Sequence, residues 1–432
     1  MQAALGEIET VLDRFLGKEV PTGELEAGIR GALARIGADL LRTVLQQRVD
    51  HADEQRVTPA GMIRVGPRHI WVRSLWGDVP IWRVYYVRVE GGDGSTPADS
   101  LLGLWHRCTP ALARLVSALA SEVPFEAGAD LLHQTTAATI NGRQFHRLAA
   151  DAGAAARRWA MARKPLPDAH DVLYVSYDGT GVPMRKECLT GRRGKGPDGK
   201  ARTREMRLGC VFTQTKVNDE GKPVRDPDST TYVSGLLNSE QFGRLVKAEA
   251  VRRGARKARR VVVLSDGANW CGKAAAMNFP RALHILDFYH AAEHVRDLSE
   301  ALFGEGRKAT VQFKVWRRAL LRGKADVVIS TAQGLLEQAA DRDEARRQIA
   351  YLQHNRPHMQ YDLYRREGLF IGSGVIEAGC KTVVAQRTKL SGMLWGQKGL
   401  QHILNLRCLN LGHELQQFWD HIFGSTKARK VA

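Results

Sequence analysis

The sequence predicts an α/β protein with a mixed β-sheet core, a helical insertion in that core and a mainly helical region before it. Two observations lead to this fold class. Strand-like apolar runs are concentrated between about residues 166 and 290, and helix-spaced apolar residues fill most of the rest. The length of 432 residues allows two to four domains. With 44% hydrophobic and 25% charged residues, the chain can bury a sizeable core.

Residues 1–105 are predicted to form a helical and hairpin region. Apolar residues recur at helical spacing up to about residue 50, namely Leu12, Phe15, Leu16, Ile29, Leu33, Ile36, Leu40, Leu41 and Val44. The period then shortens, and residues 70–72 and 79–87 flank Gly77 as two strands of a hairpin would. The polar loop at 90–97 is typical of a flexible joint.

Residues 106–165 are predicted to be helical, with a pattern similar to a helix-turn-helix. A short helix over 125–132 is followed by a turn at 134–138, with Thr139 as a candidate N-cap for the next helix. That helix begins near Asn141 and is basic. In a helix-turn-helix, the start of the second helix faces base edges and phosphates. The candidate DNA contacts are Arg143, Gln144 and Arg147. Plain packing of a helical hairpin explains the same pattern, and both interpretations stay open.

Residues 166–290 carry the strands of the predicted sheet. The apolar runs are residues 172–178, 182–184, 206–213, 231–234, 261–265 and 283–287. A helix is predicted from about Ser239 to Arg253, before the fifth of these runs. Three consecutive strands followed by strand, helix and strand is an RNase H-like order, with antiparallel and parallel pairing in one sheet. This segment is therefore predicted to be the first part of the core.

Three acidic residues stand where a divalent-metal site would need them. Asp178 and Asp266 each end an apolar run, and Glu377 follows Gly372-Ser373-Gly374 at the start of a predicted helix. Two strand-end aspartates and a helical glutamate can converge on two Mg²⁺ (or Mn²⁺) ions, which prefer carboxylate oxygens. Such a pair activates the attacking oxygen and stabilises the leaving oxygen of a phosphodiester displacement. For either aspartate alone, an Asp-Gly turn is the alternative.

The spacing of these acids predicts an insertion. The gaps are 266 − 178 = 88 and 377 − 266 = 111 residues, and the second exceeds what one strand and one connection require. Only helical periodicity occurs from about 288 to 365. We therefore predict a helical insertion over 291–365, a second part of the core with the Glu377 helix over 366–415, and a basic tail over 416–432.

The charge balance points to nucleic acid. The net charge is +18, from 64 Lys and Arg against 46 Asp and Glu. An excess spread over the whole chain is typical of proteins that bind polyanions, although a merely soluble cationic protein is the alternative. No window approaches the roughly 18 apolar residues of a membrane span, and the N-terminus does not resemble a signal peptide. The six cysteines are dispersed without a CxxC pair, which favours reduced thiols in a cytoplasmic protein over a disulfide scaffold or a structural zinc site.

Two basic stretches adjoin the acidic residues in sequence. One flanks the Gly-rich loop between residues 185 and 207, and the other, residues 252–260, precedes the run that ends at Asp266. The candidate DNA contacts in them are Arg192, Arg193, Lys195, Arg256 and Lys257. Phosphate neutralisation close to the metals is what a DNA-cutting site requires, and a solvated charged face is the alternative.

Four further residues are candidates near the acidic triad. Lys381 lies four residues after Glu377 and either pairs with it or reaches a phosphate. Trp395, between two glycines, either stacks on an unpaired base or lies in the core. Asp287 and His290 stand at the end of the last strand, outside the expected metal ligands. There His290 either orients DNA or a carboxylate, or is a structural histidine.

Five segments together resemble a known family. They are Tyr177–Val182, Leu264–Ala268, Ile285–His290, Gly372–Glu377 and Lys389–Gly396, in that order. Over about residues 100–415 the series resembles the ISKra family of bacterial insertion-sequence transposases, within the acidic-triad (DDE) transposases and integrases. In related transposases an Asp/Cys-x-x-His pair stands near the metal site, where Asp287 and His290 lie here.

The resemblance implies an RNase H-like catalytic core interrupted by helices. In such a core Asp178, Asp266 and Glu377 bind the two metal ions that cut transposon ends and join them to target DNA. It also implies a homo-oligomer on double-stranded DNA that carries terminal inverted repeats, in a cytoplasmic and nucleoid-associated bacterial protein without a membrane partner.

The chain departs from the family at one place, and two other functions compete with transposition. Family members commonly carry a cysteine pair after a Tyr-Tyr strand, whereas here Tyr85-Tyr86 is followed by Val87-Arg88-Val89, so zinc-dependent end recognition is in doubt. One competing function is a non-catalytic DNA-binding protein derived from a transposase. The other is an actin-like ATPase that uses residues 178–181 as a phosphate-binding turn, although a second glycine-rich loop is missing.

Overall fold

The computed structural model describes residues 2–92, 94–166, 170–189 and 202–428. The candidate DNA contacts Arg192, Arg193 and Lys195 lie outside these ranges. The chain divides into two compact units, Met1–Ala155 with Glu414–Ala432, and Ala156–His413. Within the described ranges, no helix is both long enough and apolar enough to span a membrane.

The helices and strands follow one another in three groups. The first group is α1 (Gln2–Phe15), α2 (Thr22–Glu54), β1 (Met62–Ser74), β2 (Gly77–Arg88), α3 (Pro110–Glu122), α4 (Phe125–Thr135) and α5 (Gly142–Ala162). The second is β3 (Val172–Pro183), β4 (Thr203–Gln214), β5 (Lys216–Val217), β6 (Pro223–Val224), β7 (Thr231–Gly235), α6 (Ser239–Arg252), β8 (Arg260–Ser265), α7 (Asn269–Asn278) and β9 (Leu283–Leu286). The third is α8 (Phe288–Phe303), α9 (Arg307–Leu321), α10 (Ala325–Leu335), α11 (Arg342–Asn355), α12 (Tyr361–Arg366), α13 (Gly374–Gly379), α14 (Gln386–Thr388), α15 (Gln397–Leu411) and α16 (Leu415–Ala428), with a π-helical segment at Cys380–Ala385 before α14.

The first unit contains the hairpin that the sequence predicts. Strands β1 and β2 pair antiparallel from Ser74 opposite Gly77 to Met62 opposite Arg88, with a bulge near Gly66. Alternate residues of the hairpin, including Val72, face α2 and share a buried apolar cluster with it. This is the alternation expected of a sheet that is covered on one face.

Helices α4 and α5 cross closely at a glycine. A Cβ at Gly128 would stand 2.7 Å from the Phe145 ring, so only glycine permits this approach. The N-cap of α5 is Asn141 and not Thr139: the Asn141 Oδ1 accepts the Gln144 amide at 2.9 Å, and the Gln144 Oε1 accepts the Asn141 amide at 3.3 Å. This reciprocal pair is a capping box, which satisfies two backbone donors at once. The expectation for Thr139 was wrong because the helix begins two residues later.

Replacing the cap tests its contribution. Asn141→Ala is expected to lower the free energy of unfolding by about 1 kcal/mol, because an amide at the helix start loses its acceptor. Thr139→Ala, an exposed position before the cap, is the control and should cost less than about 0.5 kcal/mol. Urea denaturation of both variants gives the comparison, and equal costs would contradict the assignment of the cap.

The second unit is built on a mixed five-stranded sheet in the order β7-β4-β3-β8-β9. Strand β3 pairs antiparallel with β4 and parallel with β8, and β8 pairs parallel with β9. One face of the sheet is covered by α6 and α7, whose side chains share a buried cluster with β3, β4 and β8. The α/β class with one mixed sheet, predicted from the strand pattern, is therefore present.

Strand β3 differs from the sequence prediction at its far end. Two apolar runs were predicted on either side of Asp178, but they form one strand that continues to Pro183. Gly179 and Gly181 allow this continuation. A Cβ there would stand 2.5 Å from the Glu205 carboxylate and 2.7 Å from the Thr203 hydroxyl of β4. Asp178-Gly179 is thus extended backbone, and neither the simple turn nor the phosphate-binding turn of an ATPase occurs there.

Helix α7 was not predicted, because its ten residues, three of them alanine, show little periodicity. After β9, the described chain from Phe288 to Arg366 consists of helices and their connections. Their apolar sides form a core of their own, made of residues such as Val295, Leu298, Trp316, Leu320, Val328 and Leu352. This helical segment lies in sequence between the last strand of the sheet and α13, which carries Glu377.

Candidate active site

The register of the sheet brings Asp178 and Asp266 to the same edge. The last paired residues of β3 and β8 are Ser176 and Leu264, and each aspartate lies two residues further on. Because the strands are parallel, their carboxyl ends point the same way, and ligands bind at such edges in open α/β sheets. Asp178 stands where β3 has left β8 but still pairs with Leu208 of β4.

The carboxylate of Asp178 is half-buried and surrounded by like charges. Its Oδ1 accepts the Gly179 amide at 2.5 Å. Burial raises the pKa of Asp178, and the negative charges of Asp266 and Glu377 raise this pKa further. Asp178 therefore interacts electrostatically with two other carboxylates from distant parts of the chain.

Asp266 is held by its own turn and by the helical segment. Its Oδ1 accepts the Ala268 amide at 2.9 Å, and its main-chain oxygen accepts the Tyr351 hydroxyl at 2.8 Å. Tyr351 lies on α11 and stacks on His294 of α8, with ring centroids 3.5 Å apart. Gly267 has φ +81°, and a Cβ there would stand 2.5 Å from the Tyr351 hydroxyl. The turn after β8 is thus fitted to the tyrosine, and glycine is required at 267.

Glu377 is positioned by Asp287. The Glu377 Oε1 accepts the Ser373 hydroxyl at 2.9 Å. Asp287, fully buried at the end of β9, accepts the His290 amide at 2.7 Å with one oxygen and the Ser373 amide with the other. Its carboxylate therefore caps α8 and fixes the backbone at the start of α13. The His290 side chain lies 3.7 Å from exposed Glu293, and the place of Asp287 and His290 beside the metal ligands stays a prediction.

Two buried thiols contact the aspartates, and sequence reasoning missed both. Cys380 donates to Asp178, and Cys271 donates to Asp266. Burial raises the pKa of each thiol, so both stay protonated and act as weak donors. The signal for Cys380 was its position three residues after Glu377 on one helix, whereas Cys271 belongs to a helix that was not predicted.

Cationic groups also lie at this edge. The Lys389 ammonium donates to the Thr180 hydroxyl at 2.8 Å. On β4, Arg207 stands opposite Gly179 with its guanidinium 4.4 Å from the centre of the Trp270 ring. Sequence reasoning missed Lys389 as a site residue, because only the fold brings it beside β3.

Lys381 and Trp395 differ in their access to solvent. Lys381 is exposed, in the π-helical segment that follows α13. Trp395 is only 6% exposed, and its indole N–H donates to the Thr388 oxygen at 3.1 Å. The structure therefore favours the core alternative for Trp395 over stacking on an unpaired base.

The basic run before β8 divides into two parts. Arg252 and Arg253 are buried, whereas Arg256 and Lys257 are exposed. Strand β8 separates the exposed pair from Asp266, because six residues of strand span about 20 Å. The expectation that this run neutralises phosphates beside the metals was wrong, since neighbours in sequence lie at opposite ends of a strand.

The donor set suits a hard cation. Carboxylate oxygens are the ligands that Mg²⁺ and Mn²⁺ prefer, and a bound cation would relieve the repulsion of Asp178 by Asp266 and Glu377. Within the described ranges, however, no three His, Cys, Asp or Glu side chains are grouped closely enough to hold an ion. The predicted metal spacing therefore stays a prediction.

A half-buried histidine, His284 on β9, lies behind the turn that carries Asp266. The His284 Nε2 lies 3.0 Å from the Ser265 hydroxyl, and its ring is 4.3 Å from that of His358. Burial, and then the charge of His358, lower the pKa of His284 from 6.5 to about 4. The unfolded chain therefore gains a proton as the pH falls below 6.5, while the folded chain stays neutral until about pH 4.

The free energy of unfolding should thus fall by about 1–3 kcal/mol as the pH is lowered from 6.5 to 4. His284→Gln, which keeps a polar group near Ser265, should flatten this part of the profile. Thermal melts across the pH range measure it. The exposed His133 provides the control, since His133→Gln should leave the profile unchanged. A steep acid loss that persists in His284→Gln would refute the assignment.

No protein-family model matches the chain, and no curated protein sequence matches it. Among solved structures, the Drosophila P element transposase strand transfer complex is similar over 72% of this chain and 80% of that chain, with 11% sequence identity and a TM-score of 0.27. A likeness at that TM-score establishes neither fold nor family, so the chemistry of this chain has to be inferred from its own residues.

Proposed function

We propose that the chain is a metal-dependent DNA transposase of the DDE type, with an RNase H-like core and a relationship to the ISKra family. The observation that supports the proposal is the electrostatic interaction of Asp178 with Asp266 and Glu377, whose charges add to burial in raising the pKa of Asp178. Acids whose pKa is shifted by burial and by neighbouring acids are found more often at functional sites than elsewhere. The reaction would be cleavage of transposon ends and transfer of the DNA 3′-hydroxyl to target DNA.

Asp178, Asp266 and Glu377 would hold two Mg²⁺ or Mn²⁺ ions. Bound there, the ions would supply activation of the attacking oxygen and stabilisation of the leaving one. The residues around the triad have separate tasks. Asp287 holds the start of α13, the Tyr351 hydroxyl holds the Asp266 turn, and Lys389 places a positive charge at the open side of the edge.

Double-stranded DNA would be bound by basic groups in both units. Arg143 and Arg147 are exposed at the start of α5, on the side opposite buried Phe145, as recognition residues would be. We expect Arg143 and Gln144 to contribute to recognition of the terminal repeats, and Arg256 and Lys257 to contact phosphates away from the triad. Action on paired ends would require a homo-oligomer on DNA.

The test is strand cleavage by the purified full-length chain. Duplexes that carry the ends of the surrounding element, and random duplexes of equal length, are incubated with Mg²⁺, with Mn²⁺ or with a chelator. The proposal expects nicks with 3′-hydroxyl ends, dependent on the metal and enriched on the element ends. Binding without any cleavage under all metal conditions would contradict it.

A non-catalytic DNA-binding protein derived from a transposase is the second candidate. It is favoured by one observation, that within the described residues no three His, Cys, Asp or Glu side chains are grouped closely enough to hold a metal ion. It predicts DNA binding that is unaffected by Mg²⁺, and no metal-dependent rise in the melting temperature. The cleavage assay and a melt with and without Mg²⁺ separate the two candidates.

A further inference from the structure

Helix α9 carries the largest net positive charge of any described helix, with five Lys and Arg residues and no acidic one. From Arg307 to Lys324 the chain contains seven cationic side chains and no acidic one. They are Arg307, Lys308, Lys314, Arg317, Arg318, Arg322 and Lys324, and all but Arg317 are exposed. Neither of the basic stretches considered above includes this helix.

The cations lie on one side of the helix. Arg307, Lys314, Arg318 and Arg322 follow one another at spacings of seven, four and four residues, which recur on one face. The opposite side carries Ala309, Trp316 and Leu320, which are buried. From Arg307 to Arg322 this face is about 22 Å long at 1.5 Å per residue. We call it the α9 face.

The α9 face is charged but not neutralised. Within the described part of the chain, none of its four cations forms an ion pair with an acidic side chain. Helix α11 of the same helical segment provides the contrast. There Arg342 pairs with Glu337, Arg346 with Asp343 and Arg347 with Glu344. The exposed arginines of α11 are thus neutralised by ion pairs, whereas the four cations of the α9 face are not.

We propose that the α9 face binds the phosphate backbone of double-stranded DNA. Uniform positive charge without acidic neighbours fits a polyanion of regular spacing, and each neutralised phosphate releases a counterion. A membrane surface fits less well, because the apolar side that would enter it is already packed inside the protein. The identity of the partner follows from the proposed function, but the binding itself does not require the acidic triad.

The experiment compares two triple variants of the full-length chain with equal loss of charge. One is Lys314→Gln, Arg318→Gln and Arg322→Gln on α9. The control is Arg342→Gln, Arg346→Gln and Arg347→Gln on α11. Affinity for a random duplex is titrated between low and moderate salt, and circular dichroism melts confirm that both variants fold. Vesicles of phosphatidylserine and phosphatidylcholine serve as the competing anionic surface.

The α9 variant should bind duplex at least about tenfold more weakly at low salt. The slope of log K against log salt is negative, and its magnitude should fall by about 2.7, or 0.9 for each lost phosphate contact. In the control, the magnitude of the slope should fall by less than about 1. Equal slopes for the two variants would overturn the proposal. So would a higher affinity for the vesicles than for the duplex, if the α9 variant also loses its affinity for the vesicles. Absence of cleavage by the unaltered chain would contradict the transposase function alone and leave the α9 result intact.

Discussion

Asp266→Asn is expected to lower Mg²⁺-dependent strand cleavage by on the order of 10³-fold, while duplex affinity stays within about twofold. The amide keeps the shape of the side chain but removes the negative charge that a divalent cation requires. Affinity should persist because it depends on cationic groups elsewhere, such as those of α5 and α9. The measurement is single-turnover nicking of labelled duplex together with salt-titrated binding.

The same substitution should make the protein more stable in the absence of metal. The negative charge of Asp266 raises the pKa of Asp178 by repulsion, and Asn removes it. Mg²⁺ should raise the melting temperature of the unaltered chain, through its preferential binding to the folded state, but not that of the variant. Asp171→Asn, an exposed acid before β3, is the matched control for lost charge and should cleave normally. Undiminished cleavage by Asp266→Asn would exclude Asp266 from catalysis.

Glu249→Ala is expected to cost about 3–5 kcal/mol of unfolding free energy, because it leaves buried cations without their counter-charge. Glu249 is 5% exposed on α6 and accepts hydrogen bonds from Arg252, from Arg163 at 3.2 Å and from the Thr231 hydroxyl at 2.6 Å. Arg252 first, and then Arg163, hold the pKa of Glu249 below its usual range despite its burial. The loss should be visible as a lower denaturation midpoint.

The control lies on the same helix. Glu240 pairs with Arg244 on the exposed side of α6, 2.9 Å apart, with both side chains more than half exposed. Glu240→Ala should therefore cost less than about 0.5 kcal/mol. If the two glutamates cost the same, the buried network would not be the element that links α6 to β7.

Much of the sheet could be predicted because its buried strands consist of consecutive apolar residues. Val261–Leu264 is such a run, and β8 forms there with a buried centre. Glu377 was placed correctly on a helix because Gly372-Ser373-Gly374 is a poor helix interior and a good start. Helix α7 and the continuous β3 were not predicted, since both depend on glycine- and alanine-rich stretches whose conformation is decided by packing.

The hydrogen bonds that hold the candidate site in place could not be predicted, because they join residues that are far apart in sequence. Tyr351 reaches the main chain of Asp266 across 85 residues, and no local pattern marks it. The distance between Lys257 and the triad was misjudged because residues that are close in sequence were assumed to be close in space. Lys257 precedes β8 and Asp266 follows it, so the two residues lie at opposite ends of the strand.

The contact between Asp287 and Ser373, which holds the start of the Glu377 helix, can form only late in the synthesis of the protein. The two residues are 86 apart, so the carboxylate leaves the ribosome well before the amide that it will bind. At about 5–20 residues per second, roughly 4–17 s separate them. In that interval the five strands have already left the ribosome, whereas Glu377 has not. A nascent chain would therefore hold only two of its three acids near any DNA it meets.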